Sequence, residues 1–393
     1  MRSNRFATLS VCLVIGLAVR DWVGAFLYGL EPSIASAVLR GLDGLYLLFY
    51  ALAIWSVVVD QSFSRLQRGL AICLQVCLLA ALALTREPML LFRSIREMVF
   101  PVAFVIAGVV MARFPSERLD TLAARALLSV LAVAIAVGVI QVLTVTSVEE
   151  YWFFKHLSNT GEMFDDFNYF RDGGARGTGL GFSPFSLAYL GLGAALYAAV
   201  RLRPGERDET RTSEKLRYGI LLGAGILACI VSRSRLALVT SMVVPIAMRL
   251  RIRPWLGAMA IALLVAGAGT SLFDGVEDTS VLGRVDQWGG AALEGILTHP
   301  FGASIPTGPL GIWFDSYVLN FIVSFGYISL LAVVILIASF AGDAIRKSST
   351  FAVVAAIVGQ SVLQALEYTA FLPLALLSLG LLYGYTRRRM EPK

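Results

Sequence analysis

Charge is scarce in this chain. Only 15% of the 393 residues are Asp, Glu, Lys or Arg, while 57% are hydrophobic and the mean hydropathy is +0.75. That balance excludes a soluble domain of this length. Histidine is scarcer still: His156 and His299 are the two, too few and too distant in sequence for a histidine metal cluster. The four cysteines, Cys12, Cys73, Cys77 and Cys229, all lie in apolar stretches. They read as small core residues and exclude a disulfide framework or a thiolate metal site. Internal repeats are not evident, which counts against a transporter assembled from inverted repeats. Low-complexity tracts and a separate soluble domain are missing too. No metal and no cofactor is expected, and no nucleic acid.

What remains is a series of apolar runs, each approaching the roughly 20 residues that cross a bilayer. The expected fold is an all-α polytopic membrane protein, one integral membrane domain over residues 1–393. Twelve spans are expected, at about 6–28, 34–59, 69–85, 97–112, 121–145, 180–200, 218–232, 235–249, 255–272, 314–341, 350–366 and 370–386. Residues Met1 to Val19 imitate a signal peptide, but no small-x-small cleavage site follows. The run meets Arg20-Asp21 and continues as WVGAFLYGL, so it is expected to be an uncleaved first helix.

Lysine and arginine set the orientation. One side collects Arg65/Arg68, Arg113/Arg118/Arg125, the basic loop 201–217, Arg249/Arg251/Arg253, Arg346/Lys347 and both termini. That side holds 22 of the 33 basic residues and 9 of the 27 acidic ones; it is expected to be cytoplasmic. The loop RLRPGERDETRTSEKLR and the tail TRRRMEPK need no role beyond setting topology. Eleven basic residues fall on the other side, against 18 acidic ones, and ten of the eleven are arginines. Arginine's planar fork makes two parallel bonds to two phosphate oxygens, so arginines gathered on the far side suggest a phosphate-bearing, lipid-borne substrate.

Two outer segments, 146–179 and 273–313, exceed simple turns, and loops of that length are usually functional or disordered. The first is dense in aromatics, from Tyr151-Trp152-Phe153-Phe154 to Tyr169-Phe170. These rings would form an interfacial belt, a platform stacking on sugar faces, or both. Asp165-Asp166 are adjacent, which is a poor fit to a nucleotide-sugar metal site. The loop ends in Asp172-Gly-Gly-Ala-Arg176-Gly-Thr-Gly-Leu-Gly, one arginine among five glycines before a helix. Such backbone can approach a ligand closely and form an anion nest, with a helix N-terminus just beyond. A flexible hinge with a solvated arginine is the alternative.

Ser232-Arg233-Ser234-Arg235 interrupts an apolar run, and an intramembrane arginine by default marks function unless it snorkels. On a helix the two arginines would point about 200° apart, so one of them is expected to face a cavity. The second loop carries Arg284 and Trp288, four apart and so on one helix face, then His299-Pro300-Phe301-Gly302. Trp313-Phe314-Asp315-Ser316-Tyr317 opens the next span. Asp315 there would be a helix cap or a general base. Arg86, Arg93 and Arg96 lie in REPMLLFRSIRE, whose apolar neighbours suggest an interfacial helix holding headgroups or a lipid diphosphate.

Arg176-Gly with Ser183-Pro184, Ser232-Arg233-Ser-Arg-Leu-Ala-Leu, Arg284 through Trp288 to His299-Pro-Phe-Gly302, and Asp315-Ser-Tyr continuing to Gly326 form an ordered set. In this order they resemble the O-antigen polymerase and O-antigen ligase family of bacterial membrane glycosyltransferases, over about residues 170–340. Ligases of that family carry a histidine where Phe314-Asp315-Ser316 stands here, which points to a polymerase of O-antigen or exopolysaccharide type. The resemblance implies an inner-membrane enzyme with both termini cytoplasmic. It would transfer a glycan from undecaprenyl diphosphate to a hydroxyl of a second lipid-linked oligosaccharide at the periplasmic face. Arg176, Arg233 and Arg284 would neutralise the leaving diphosphate, with Arg235 behind Arg233, and Asp315 would act as base. Trp288, Tyr317, His299, Arg93 and Arg96 would bind substrate. A chain-length regulator is a possible partner. The competing readings are an O-antigen ligase, a multi-span glycosyltransferase using Asp21 as base in a first outer loop, and a lipid-linked oligosaccharide flippase or exporter.

Overall fold

The structure is a computed structural model that describes residues 2–60, 63–85, 88–114, 116–151, 169–171, 173–181, 183–202, 212–250, 301–302, 316–341, 348–363 and 371–390. The expected span 255–272 lies outside these residues; every other expected span carries a helix. In chain order they are α1 (Arg2–Leu30), α2 (Pro32–Val59), α3 (Arg65–Leu84), α4 (Pro88–Met98), α5 (Val102–Arg113), α6 (Glu117–Thr144), α7 (Pro184–Arg201), α8 (Thr212–Val231), α9 (Arg235–Leu250), α10 (Tyr317–Ala341), α11 (Ser348–Leu363) and α12 (Phe371–Met390). Among the described residues the only strands are β1 (Phe170–Arg171) and β2 (Gly174–Ala175), a small antiparallel hairpin.

Local chemistry sets the helix starts. Pro32 opens α2, where its missing N–H costs nothing. Ser64 and Gln67 form a reciprocal capping box on α3, at 3.2 and 2.9 Å. Ser116 caps α6, and Glu117 and Asp120 in its first turn suit the positive end of the helix.

Among the described residues five helical stretches are long and apolar enough to cross a bilayer: Ser33–Val59, Arg65–Ala83, Ser94–Arg113, Glu117–Thr144 and Tyr317–Phe340. Thr8–Arg20, Thr350–Ser361 and Phe371–Tyr385 are apolar but shorter. Burial is graded from the centre outward. Nearly all of α5 and α7 is buried. The peripheral α2, α3 and α6 instead show Leu, Ile and Val outward, Leu79 at 65% exposure and Leu143 at 78%. An apolar outer surface suits hydrocarbon as its solvent.

Where exterior and interior are equally apolar, helices associate through close packing at small residues. The α5–α12 contact follows that rule. A Cβ placed on Gly380 would lie 3.0 Å from the Gly108 Cα, and one on Gly384 would lie 2.9 Å from the Val109 carbonyl oxygen. Gly191 of α7 and Gly225 of α8 meet in the same way: a Cβ on Gly191 would sit 2.6 Å from the Gly225 carbonyl oxygen. The two pairs are joined where Gly193 of α7 packs on Leu374 of α12, a Cβ there lying 2.9 Å from the Leu374 Cβ, and the loop before α7 is held against the far ends of α6 and α8.

Candidate functional site

The site is built on three supports: the end of α6, the β1–β2 hairpin with the stretch 176–179 that follows it, and the turn between α8 and α9. Arg176 is 4% exposed. Its Nε donates to the Ser232 carbonyl oxygen at 3.0 Å, and its guanidinium lies over the Phe185 ring, 5.0 Å from the centroid. Phe185 belongs to the first turn of α7, which Ser183 caps through the Phe185 N–H at 3.2 Å. The arginine of the glycine run therefore touches the residue next to Arg233, although 56 positions separate Arg176 from Ser232.

Arg233 sits in the turn rather than on a helix. The Ser234 N–H donates to the Cys229 carbonyl and the Arg233 N–H to the Ile230 carbonyl, the paired closure that ends a helix with a left-handed residue. That residue is Arg233, with φ +51°, where glycine is usual. A left-handed arginine costs of order 1 kcal/mol in backbone strain. The half-helical-turn geometry expected for the Arg233/Arg235 pair therefore does not hold: Arg233 is the turn and Arg235 is the first residue of α9. The Arg233 guanidinium packs on the hairpin at Gly174, where a Cβ would collide with it. This explains a glycine at that position.

Tyr151 ties these pieces together. Its hydroxyl donates to the carbonyls of Tyr169 at 3.1 Å and Arg176 at 2.7 Å. Burial pushes its phenol up to about 12, against the opposing pull of its bond to the Arg176 backbone and the charges of Arg176 and Arg233. Both guanidinium groups therefore act on one phenol, and Tyr151 remains a neutral donor. Just before it, Glu150 accepts from the Thr146 N–H at 2.5 Å. That bond, with a second from the Thr146 hydroxyl, holds its carboxyl below the usual range.

The glycine run does not form an open anion nest. The N–H of Arg176 donates to the Tyr169 carbonyl at 2.8 Å, and that of Gly177 to the Val231 carbonyl at 3.1 Å. The N–H groups of Thr178 and Gly179 both donate to the Gln141 side-chain oxygen, at 2.8 and 3.1 Å. All four are occupied by protein acceptors, as buried backbone requires. The run is a strap docked on α6, and what it presents is the Arg176 side chain.

Other expected site residues fall elsewhere. Arg96, 8% exposed, pairs with Asp43 at 2.6 Å and with Glu97 beside it, and Arg20 reaches the same Asp43 at 3.7 Å. Carboxylates from α2 and α4 already hold its fork, so it belongs to a buried charge network rather than to the Arg176 cluster. The short helix expected around REPMLLFRSIRE is present as α4, with Arg93 on it. The Tyr317 hydroxyl donates to the Met98 carbonyl at 2.5 Å and thereby ties the start of α10 to the end of α4. Residue 21 continues α1 without a break, not in an outer loop. Asp315, Arg284, Trp288 and His299 lie outside the described residues. Gly302, the last residue of the His-Pro-Phe-Gly motif, seats its backbone on Ser324 and Phe325: a Cβ there would lie 2.6 Å from the Phe325 nitrogen. Directly after that contact α10 breaks at Gly326 (φ 78°, ψ 164°), a conformation open essentially to glycine alone. Two motifs of the ordered set thus meet at one kink.

Gln141 and Tyr151 are the residues that sequence reasoning missed. Gln141 carried a signal, an amide inside the apolar run of α6. Tyr151 was hidden among neighbouring aromatics. No protein-family model matches the chain, and no curated protein matches it.

Proposed function

We propose that the chain is a membrane glycosyltransferase. It joins undecaprenyl-diphosphate-linked oligosaccharide repeat units at the periplasmic face, as an O-antigen or exopolysaccharide polymerase of the inner membrane. Twelve spans with both termini cytoplasmic place the 201–217 loop inside, and the segments 146–179 and 273–313 outside. The observation that carries this reading is the convergence of Arg176 and Arg233 from separate motifs. Both lie beside the phenol of Tyr151, and Arg233 is held in a backbone state that a glycine would occupy at less cost.

In the reaction, an acceptor sugar hydroxyl attacks C1 of the donor sugar. The C1–O bond to the lipid diphosphate breaks, the new glycosidic C1–O bond forms, and attack from the opposite face inverts C1. The hydroxyl proton passes to Asp315, and the electron pair leaves with undecaprenyl diphosphate. Arg176 and Arg233, with Arg235 next to the turn and Arg284 from the second loop, neutralise the charge that develops on the departing oxygens. Diphosphate is a good leaving group, so the step needs no metal. The phenol of Tyr151, bonded to the Arg176 carbonyl, and the Phe185 ring hold Arg176 without adding negative charge.

The test is reconstitution. Full-length protein in detergent, given a purified lipid-linked repeat unit, lengthens it; Asp315→Asn abolishes lengthening and Asp21→Asn does not. Lipid-linked units that cross a vesicle membrane without growing would point to a flippase and sink the proposal.

A further inference from the structure

Gln141 stands three residues before the end of α6, 5% exposed. An amide in an apolar helix is costly unless its hydrogen bonds are met, and here they are met by one partner segment. Its Oε1 accepts from the N–H groups of Thr178 and Gly179, and its Nε2 donates to the Thr178 Oγ1 at 3.0 Å. Thr178 itself is fully buried. One turn earlier on the same face of α6 is Gly138, and a Cβ on Gly177 would lie 3.0 Å from its Cα. The face of α6 therefore offers a gap at Gly138 and a hook at Gln141, and the strap 177–179 fills both. Arg176 is the next residue along the chain. Its carbonyl is held by Tyr151 and its side chain by Ser232, so its position is set from three directions.

We infer that Gln141 is a positioning residue for Arg176, with Tyr151 as the second clamp. The inference rests on the diphosphate-binding reading of the Arg176–Arg233 cluster. Gln141 touches no substrate. It fixes the strap, and the strap fixes where the guanidinium meets the leaving diphosphate. A preorganised donor gains its effect from being held in place before the ligand arrives.

The test is a double-mutant cycle on binding of undecaprenyl diphosphate to the full-length protein in lipid nanodiscs. Arg176→Ala weakens binding about tenfold or more, the scale of a lost charge-assisted bond pair. Gln141→Leu weakens it about tenfold in the wild-type background but less than about twofold on top of Arg176→Ala, because coupled residues are not additive. Gln141→Glu keeps an oxygen that accepts from both N–H groups and from the Thr178 hydroxyl; it restores affinity to within about threefold of wild type. If the leucine variant does not fold, Tyr151→Phe, which deletes one hydroxyl, runs the same cycle with the same non-additivity. An equal loss from Gln141→Leu in both backgrounds, or a glutamate variant as weak as the leucine one, overturns the positioning role and leaves the diphosphate reading intact. Arg176→Ala binding as tightly as wild type overturns the diphosphate reading itself.

Discussion

At its last residue, α7 carries Arg201, whose fork meets both oxygens of Asp120 at 2.5 and 3.1 Å and the hydroxyls of Tyr385 at 2.6 Å and Tyr197 at 3.3 Å. At its first turn, about 24 Å away at 1.5 Å per residue, Phe185 supports Arg176, whose Nε bond goes to a backbone carbonyl. Each arginine is buried, and each lies against an aromatic ring. They differ in the groups seen to hold the fork. Beside Asp120 a carboxylate cancels the charge within the fold, which locks α6, α7 and α12 together. Around Arg176 a backbone carbonyl and a ring orient the guanidinium, and Arg233 adds a second positive charge beside the same phenol. A buried arginine matched to a carboxylate is a structural tie. One turned by a backbone carbonyl and a ring is placed by groups other than a carboxylate, as the proposed diphosphate site requires.

Cutting the matched end should have the largest effect on stability. Asp120→Ala leaves the Arg201 charge buried without its carboxylate and should lower unfolding free energy by about 3–5 kcal/mol, read as a fall in thermal midpoint in detergent. Replacing both partners with apolar residues of similar volume should recover most of that loss. The other end should respond the opposite way. Arg176→Ala should lower turnover of a lipid-linked repeat unit about 100-fold, near 2.7 kcal/mol in the barrier. Its thermal midpoint should move far less than that of Asp120→Ala. If the two variants destabilise equally, the contrast between the ends is lost.

Smaller effects sharpen the same contrast. Gly326→Ala forces a side chain into a backbone state that costs about 1–3 kcal/mol. It should reduce stability by that amount and turnover more strongly, since Gly302, at the end of the second-loop motif, seats on α10 directly before the kink. The smallest effect is at Glu150. Its carboxyl is held below the usual range by Thr146, so its contribution is present above the ordinary carboxylate pKa and is lost as pH falls through the lowered one. Amide protection of Thr146, corrected for intrinsic exchange, should drop as pH falls below the ordinary glutamate range and through the lowered pKa. Glu150→Gln should remove that pH dependence while leaving the Arg176 strap protected.

Much of this contrast was legible in the sequence, because long apolar runs and punctuating polar motifs report local preference. Apolar periodicity and length located α1 to α3, α5 to α12 and the separate α4. The two arginine motifs stood out because charge is expensive in such a chain. What sequence could not reach is pairing across distance. Nothing in Asp43 and Arg96, 53 residues apart, says that one occupies the other, so Arg96 read as a ligand for lipid phosphate. The glycine run at 173–179 read as an open nest because glycine permits one. Only the fold shows that Gln141, Tyr169 and Val231 take its N–H groups. The expected spans 218–232 and 235–249 leave Arg233 between them, as the fold does, but its left-handed backbone and its seat on Gly174 were not legible.

Arg233→Gly tests the central claim most directly, since glycine suits the left-handed turn better than arginine does. Full-length variant and wild type, purified side by side, are compared for thermal midpoint and for lengthening of an undecaprenyl-diphosphate-linked repeat unit. The account predicts a midpoint equal to or above that of wild type, by up to about 1 kcal/mol in stability, together with a loss of product of about 100-fold or more. A glycine variant that builds the same ladder of products at the wild-type rate would contradict it.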